Sequence, residues 1–226
     1  MKIKVFKFLT KPYTVVLTML ITPLFGFIDR NLVFFSALGV AFLILWGSNY
    51  NWKRFGFGEK LTLKTVITSI GMSFIIFIVF SLFIDPLLIK YLGEFNLSSL
   101  NDIRGNLSGY IVIMIIMWLF AAFGEEFLFR GYYMKSLAQL IGNKDISWLL
   151  SALITSAYFG ISHLYQGASG IVSVGLWSLV VSLIFYKRRN NLLLLVLIHG
   201  ISDSVGLTLL YLNKDHLLTD WAQRLF

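Results

Sequence analysis

The 226-residue chain has no cysteine, which excludes a disulfide framework, a thiolate nucleophile and any Cys-ligated metal. It is also poor in charge: Asp, Glu, Lys and Arg make up 13% of it, against about a quarter in ordinary soluble domains. With 58% hydrophobic residues and a mean hydropathy of +0.80, that scarcity excludes both a soluble globular domain and a disordered tail. Acidic residues are fewer than basic ones, 11 against 19. In a membrane protein the resulting +8 reflects loops facing anionic headgroups, so no nucleic-acid partner is expected. Chemistry, if the chain performs any, falls to carboxylates, histidines and hydroxyls.

What the chain does have is a succession of apolar runs, at about 13–28, 32–46, 65–84, 109–123, 146–164, 170–186 and 192–212. They are continuously apolar, without the ~10-residue alternation of a membrane β-barrel, and several approach the ~20 residues that cross a bilayer as a helix. The expected fold is all-α, a polytopic transmembrane bundle of about seven spans in a single domain, 1–226. The first run follows Lys2, Lys4, Lys7 and Lys11 and lacks a small-residue cleavage site, so it reads as a membrane helix rather than a removable signal. Positive charge recurs after every second span: at the N-terminus, at Lys53, Arg54, Lys60 and Lys64, between Lys135 and Lys144, and at Lys187, Arg188 and Arg189. Those loops are assigned to the cytoplasm, and the connections at Asp29, from Asp85 to Arg104 and around Gln166 to the other side. The tail after Asn213 would join the second group. The stretch Lys53 to Gly58 reads as a simple loop.

Between residues 109 and 212, ionisable side chains interrupt otherwise apolar runs. A mid-membrane charge costs about 2.5–3.5 kcal/mol on insertion scales, so such residues generally face a bundle interior or a wet cavity. The first group is Gly124-Glu125-Glu126-Phe127-Leu128-Phe129-Arg130-Gly131. Glu126 and Arg130, four apart, share a helix face and can pair. Glu125 points about 100° away in α-helical geometry and is left over as a candidate base or acid. The flanking Gly124 and Gly131 allow close helix approach. The second group places Phe159 and His163 four apart. With a turn through residues 142–145, Glu125 and His163 come to similar depth in adjacent antiparallel helices. The third group, His199 and Asp203, again four apart, lies in the middle of the last long run, where Asp203 could simply orient His199. Read singly, each group is also compatible with interhelical hydrogen bonding or interfacial anchoring.

Together, Glu125 to Arg130, Phe159 to His163 and His199 to Asp203 resemble the EExxxR, FxxxH and HxxxN/D motifs of the CPBP intramembrane proteases. That family contains the type II CAAX prenyl endopeptidases and the bacteriocin-processing and immunity proteins often called Abi. The resemblance covers about 109–212, the expected catalytic core, and implies peptide-bond hydrolysis at a membrane-buried site in a multi-pass protein of a bacterial cell membrane. It implies that Glu125 and His163 activate water, with Glu125 as general base, and that His199 and Asp203 stabilise the oxyanion. Glu126 and Arg130 would hold the first helix, and Phe159 would pack against the site.

Asp203 stands where Asn is more familiar in the family, and an ionised carboxylate cannot donate a hydrogen bond to an oxyanion. It must be protonated, orient His199 or ligate a cation. The family's metalloprotease label would be served by Zn²⁺ held among Glu125, His163, His199 and Asp203. The HExxH spacing is absent, however, and Glu with His can activate water unaided, so either no cofactor or zinc is expected. The partners are a membrane-bound peptide or protein and the lipid bilayer. Two other readings stay open: an immunity or regulatory protein of the same family that binds without cutting, and a carrier using the ionisable residues as a relay. The matched halves of a carrier are not evident.

Overall fold

A computed structural model describes residues 1–224; Leu225 and Phe226, the end of the expected domain, lie outside the described residues. Among the described residues the fold is helical, with one isolated bridge between Phe57 and Asn191. The helices are α1 (Lys2–Leu9), α2 (Pro12–Ile21), α3 (Arg30–Gly47), α4 (Leu63–Leu92), α5 (Leu107–Leu140), α6 (Asp145–Ser162), α7 (Gly167–Lys187), α8 (Leu192–Tyr211) and α9 (Leu217–Gln223). The long ones begin at polar caps. Thr62 accepts from the Thr65 amide at 3.1 Å, Asn106 from Gly109 at 3.2 Å and Asn191 from Leu194 at 3.0 Å, each satisfying an amide the helix itself cannot.

All seven apolar runs are helical, but seven full spans are not found. Four helices, α4, α5, α7 and α8, are long and apolar enough to cross a membrane among the described residues, or five if the bent pair at the N-terminus forms one span. That pair turns by 77°. The apolar part of α3, Asn31–Gly47, reaches only about 25 Å at 1.5 Å per residue, short of the ~30 Å hydrocarbon core. Helix α6 carries buried Ser147, Ser151, Thr155 and Ser156, an inward polar stripe that lowers its hydropathy.

One helix outruns its predicted end. The apolar run ends at residue 84 and puts Asp85 in a connection; instead α4 passes through a π-helical turn at Phe80–Ile84 and continues to Leu92, with Pro86 just after that turn. A proline inside a helix removes one backbone hydrogen bond, and the π-helical turn just before it is where the hydrogen-bond ladder changes register. Helix α5 runs unbroken to Leu140 and is π-helical from Met117 to Met134. Its i→i+5 hydrogen bonding widens the turn exactly where the first motif sits, so the angular offset of Glu125 from Glu126 is smaller than α geometry predicts.

The connections gather at two ends. At one, the amides of Gly58 and Glu59 donate to the Asn190 carbonyl, the Leu192 amide donates to Gly56, and the Asn191 amide group donates to Glu59 at 2.6 Å. Arg189 pairs with Asp145 at 2.7 Å there. The Lys53–Gly58 stretch thus latches the 188–192 turn, and its Phe55 is buried against Phe127. At the other end the Asn96 amide donates to Gln166, the Gly105 amide to Tyr211, and Arg104 clasps Asp215 through two hydrogen bonds of 2.7 Å. These are the two groupings that the alternation of positive charge predicts.

Between the ends, α8 is held by Ser73 of α4, which donates to the Ile198 carbonyl at 3.0 Å, and by Tyr110 and Trp118 of α5, which bond Thr208 at 2.9 Å and Ser204 at 3.2 Å. Helices α6 and α7 approach through Gly160, where a Cβ would lie 2.5 Å from the Ile171 carbonyl oxygen and 3.0 Å from the Gly175 Cα. Both contacts are to backbone, so Gly160→Val must push the helices apart. A loss of about 1–3 kcal/mol is expected as a lower thermal midpoint in detergent, whereas Gly71→Ala, with nothing within 4 Å of its Cβ position, should not lower it. The clasp predicts a pH effect as well. Arg104 holds the Asp215 carboxyl below the usual carboxylate range. Its stabilisation is therefore present above the unfolded value of about 3.9 and is lost as pH falls through the folded value. Asp215→Asn should flatten the acid limb of the stability profile; an unchanged limb would contradict the clasp.

Candidate active site

The site is built outward from a buried anchor. Within α5, Arg130 and Glu126 have no exposed side-chain surface, and the guanidinium meets the Glu126 Oε1 at 2.9 Å. Arg130 also donates to the Ser178 hydroxyl at 2.7 Å, the Ser178 carbonyl at 2.8 Å and the Ser182 hydroxyl at 3.2 Å, all on α7. Its flat face lies over the Phe159 ring, 5.1 Å from the centroid, as cation–π attraction favours. Phe159 thus packs on the anchor, with an edge-to-face contact to Phe129 at 4.7 Å and the His163 ring 4.8 Å away. Gly131 lets the Phe55 backbone approach α5, because a Cβ there would lie 2.9 Å from the Phe55 oxygen.

Glu126 has a second client. Its Oε1 also accepts from His199 Nδ1 at 2.9 Å, joining α5, α7 and α8 in one network. A carboxylate only accepts, so this contact places a proton on Nδ1 and turns Nε2 outward. Nε2 lies 3.4 Å from Asp203 Oδ2 and 4.0 Å from Glu125 Oε2. The Trp177 ring stacks obliquely on His199, centroids 4.6 Å apart. Exposure rises along this series: Glu126 0%, His199 6%, Glu125 20%, Asp203 37% of the side chain. The first two are scaffold-bound and the last two reach a cavity.

That cavity, of about 1270 Å³, is bordered by Glu125, Phe159, His163, His199 and Asp203 together, with a mostly apolar remainder. His163 ends α6, and its Nδ1 contacts the Phe159 carbonyl oxygen at 2.8 Å. A carbonyl cannot donate, so Nδ1 carries the proton and the Nε2 lone pair is left free. The three motifs therefore converge on one space, although among the described residues Glu125 and His163 make no direct hydrogen bond. The 4.0 Å between Glu125 and His199 is too long for a hydrogen bond and about what one bridging water spans.

Sequence spacing pairs Glu126 with Arg130 but leaves unread that Glu126, rather than Asp203, anchors His199 Nδ1. It also leaves out Trp177, Ser178 and Ser182, whose Ser-rich α7 stripe looks like ordinary helix packing. Asp85 borders the cavity too, although the sequence places it in the connection after residue 84. The zinc set fits poorly. Among the described residues no three His, Asp or Glu side chains are grouped to hold a metal; the Nδ1 contacts of His199 with Glu126 and of His163 with the Phe159 carbonyl do not bear on this, since metal-ligating imidazoles use the same contacts.

Fold and cluster together define a polytopic membrane protein with a carboxylate and imidazole site inside its helix bundle. Residues 107–205 match the model of the family described as type II CAAX prenyl endopeptidase Rce1-like. This segment, from the start of α5 into α8, contains all three motifs, and the match supports the CPBP and CAAX protease family. No curated protein and no solved structure matches the chain.

The anchor makes a stability prediction. Arg130→Met leaves the Glu126 carboxylate buried without its cation and should cost about 3–5 kcal/mol. The double variant Glu126→Leu/Arg130→Met should recover part of that loss, because an apolar pair avoids the desolvation of both ions. Thermal unfolding in detergent reads both; a single variant as stable as the wild type would sink the anchor.

Proposed function

We propose that the chain is an intramembrane endopeptidase in which Glu125 is the general base. The observation that supports this most strongly is the convergence of Glu125, His163, His199 and Asp203 on one cavity behind the buried Glu126–Arg130 anchor. A water held between the Glu125 carboxylate and the free Nε2 of His163 gives its proton to Glu125, and its oxygen attacks the carbonyl carbon of the peptide bond. The oxyanion that forms is met by His199 Nε2–H, whose ring is fixed in direction by Glu126 through Nδ1. Asp203 Oδ2, 3.4 Å from Nε2, is the acceptor that this N–H leaves when the oxyanion takes its place. Glu125 then returns the proton to the departing amide nitrogen as the C–N bond breaks, so atoms and charge balance without a further reagent. A membrane-bound peptide or protein is the substrate, and the end formed by the basic loops, including the N-terminus, faces the cytoplasm.

Comparison of membrane and secreted peptides by mass spectrometry, in cells making equal amounts of wild type and Glu125→Ala, tests this reading. A cleavage product should fall at least ~100-fold in the variant, the lower end of what a general base contributes. Identical peptide profiles, with a phenotype still attached to deletion of the protein, would replace catalysis by a binding or immunity role. With purified protein, activity is expected to persist after chelation; restoration of a chelated enzyme by stoichiometric Zn²⁺ would sink the metal-free path.

A further inference from the structure

Asp85 belongs to none of the three motifs, yet it stands inside the α4 span and borders the same cavity as Glu125, His163, His199 and Asp203. Its Oδ1 accepts from the Ser173 hydroxyl of α7 at 2.7 Å. Ser173 precedes Trp177 by one turn, about 6 Å along the helix axis, and the Trp177 ring rests against His199. Asp85 therefore sits about one helical turn along the cavity wall from the proposed point of attack. Although the whole chain carries +8, no lysine or arginine borders this cavity among the described residues. A carboxylate at membrane depth is costly and generally answers to a partner, and a serine hydroxyl supplies a hydrogen bond without supplying charge.

We propose that Asp85 is a specificity residue which receives the ammonium or guanidinium of a lysine or arginine in the substrate, making this a site for apolar peptides that carry one cationic side chain. An extended peptide advances about 3.3 Å per residue, so the basic residue lies within about three residues of the scissile bond. This position rests on the protease reading; the cation subsite itself does not. Ser173 orients the carboxylate, and the surrounding apolar wall strengthens its pairing with an arriving cation.

The test uses the full chain with Glu125→Ala, to prevent turnover, in phosphatidylcholine vesicles. The probes are fluorescein-labelled leucine–alanine peptides bearing one Lys, Gln or Glu at successive positions. In at least one register the Lys peptide should bind about tenfold more tightly than its Gln counterpart, and the Glu peptide more weakly still. Asp85→Asn in the same background should bind Lys and Gln peptides alike, and Asp85→Glu should restore the preference. A purely structural Asp85 would weaken all peptides equally. That result overturns the proposal, as does a Lys preference that survives Asp85→Asn or failure to bind any Lys peptide. Cleavage of the Lys peptides by the chain retaining Glu125 is read separately, so charge-selective binding without cleavage would keep the subsite while removing the protease reading.

Discussion

The fully buried contact between Glu126 and Arg130 is the constraint on which the rest of the site depends. Two opposite charges without solvent are tolerated only when each has its remaining hydrogen bonds met. Arg130 meets that demand by drawing α7 onto α5 through Ser178 and Ser182, and Glu126 meets it in part: its Oε1 takes the Nδ1 proton of His199 from α8, while its buried Oε2 has no hydrogen-bond partner among the described residues. One ion pair thus determines the spacing of three helices and the direction of an imidazole. The π-helical turn around the motif and the glycines that admit Phe55 and α7 make room for this packing.

A division of labour follows from burial. Glu126 and Arg130 differ from Glu125 and Asp203 less in chemistry than in access: the former are sealed and mutually neutralised, and the latter face a cavity with no Lys or Arg in its lining among the described residues. Two adjacent glutamates in one motif therefore occupy different environments, because neighbouring residues on a helix point in different directions. His163 and His199 show the same economy, each spending one ring nitrogen on a fixed acceptor and leaving the other for the cavity.

The loops at the two ends support this arrangement from outside the apolar region. The latch of Gly56 to Glu59 onto Asn190 to Leu192 holds the start of α8, while the Arg104–Asp215 clasp and the Gly105 to Tyr211 bond hold its finish. His199, midway along α8, is thereby set in depth from both ends. Helices α6 and α7 meet through glycine and serine, which places His163 beside the same space without bulky side chains between them.

Much of this was legible in the residues themselves. Continuous apolar runs demand helices in a bilayer because unpaired backbone groups are too costly there, and residues four apart share a helix face, which is enough to read the Glu126–Arg130 pair and the three motifs. The sorting of loops follows from charge for the same local reason. The number of full spans was not legible, since an inward serine stripe in α6 and a sharp bend near the N-terminus depend on neighbours. Nor were the hold of Glu126 on His199, the stacking of Trp177 or the approach of Asp85 to the cavity. These are contacts between helices far apart in the chain, and periodicity reports which face a residue occupies without saying what that face meets; only the packing of α4, α5, α7 and α8 against one another decided it.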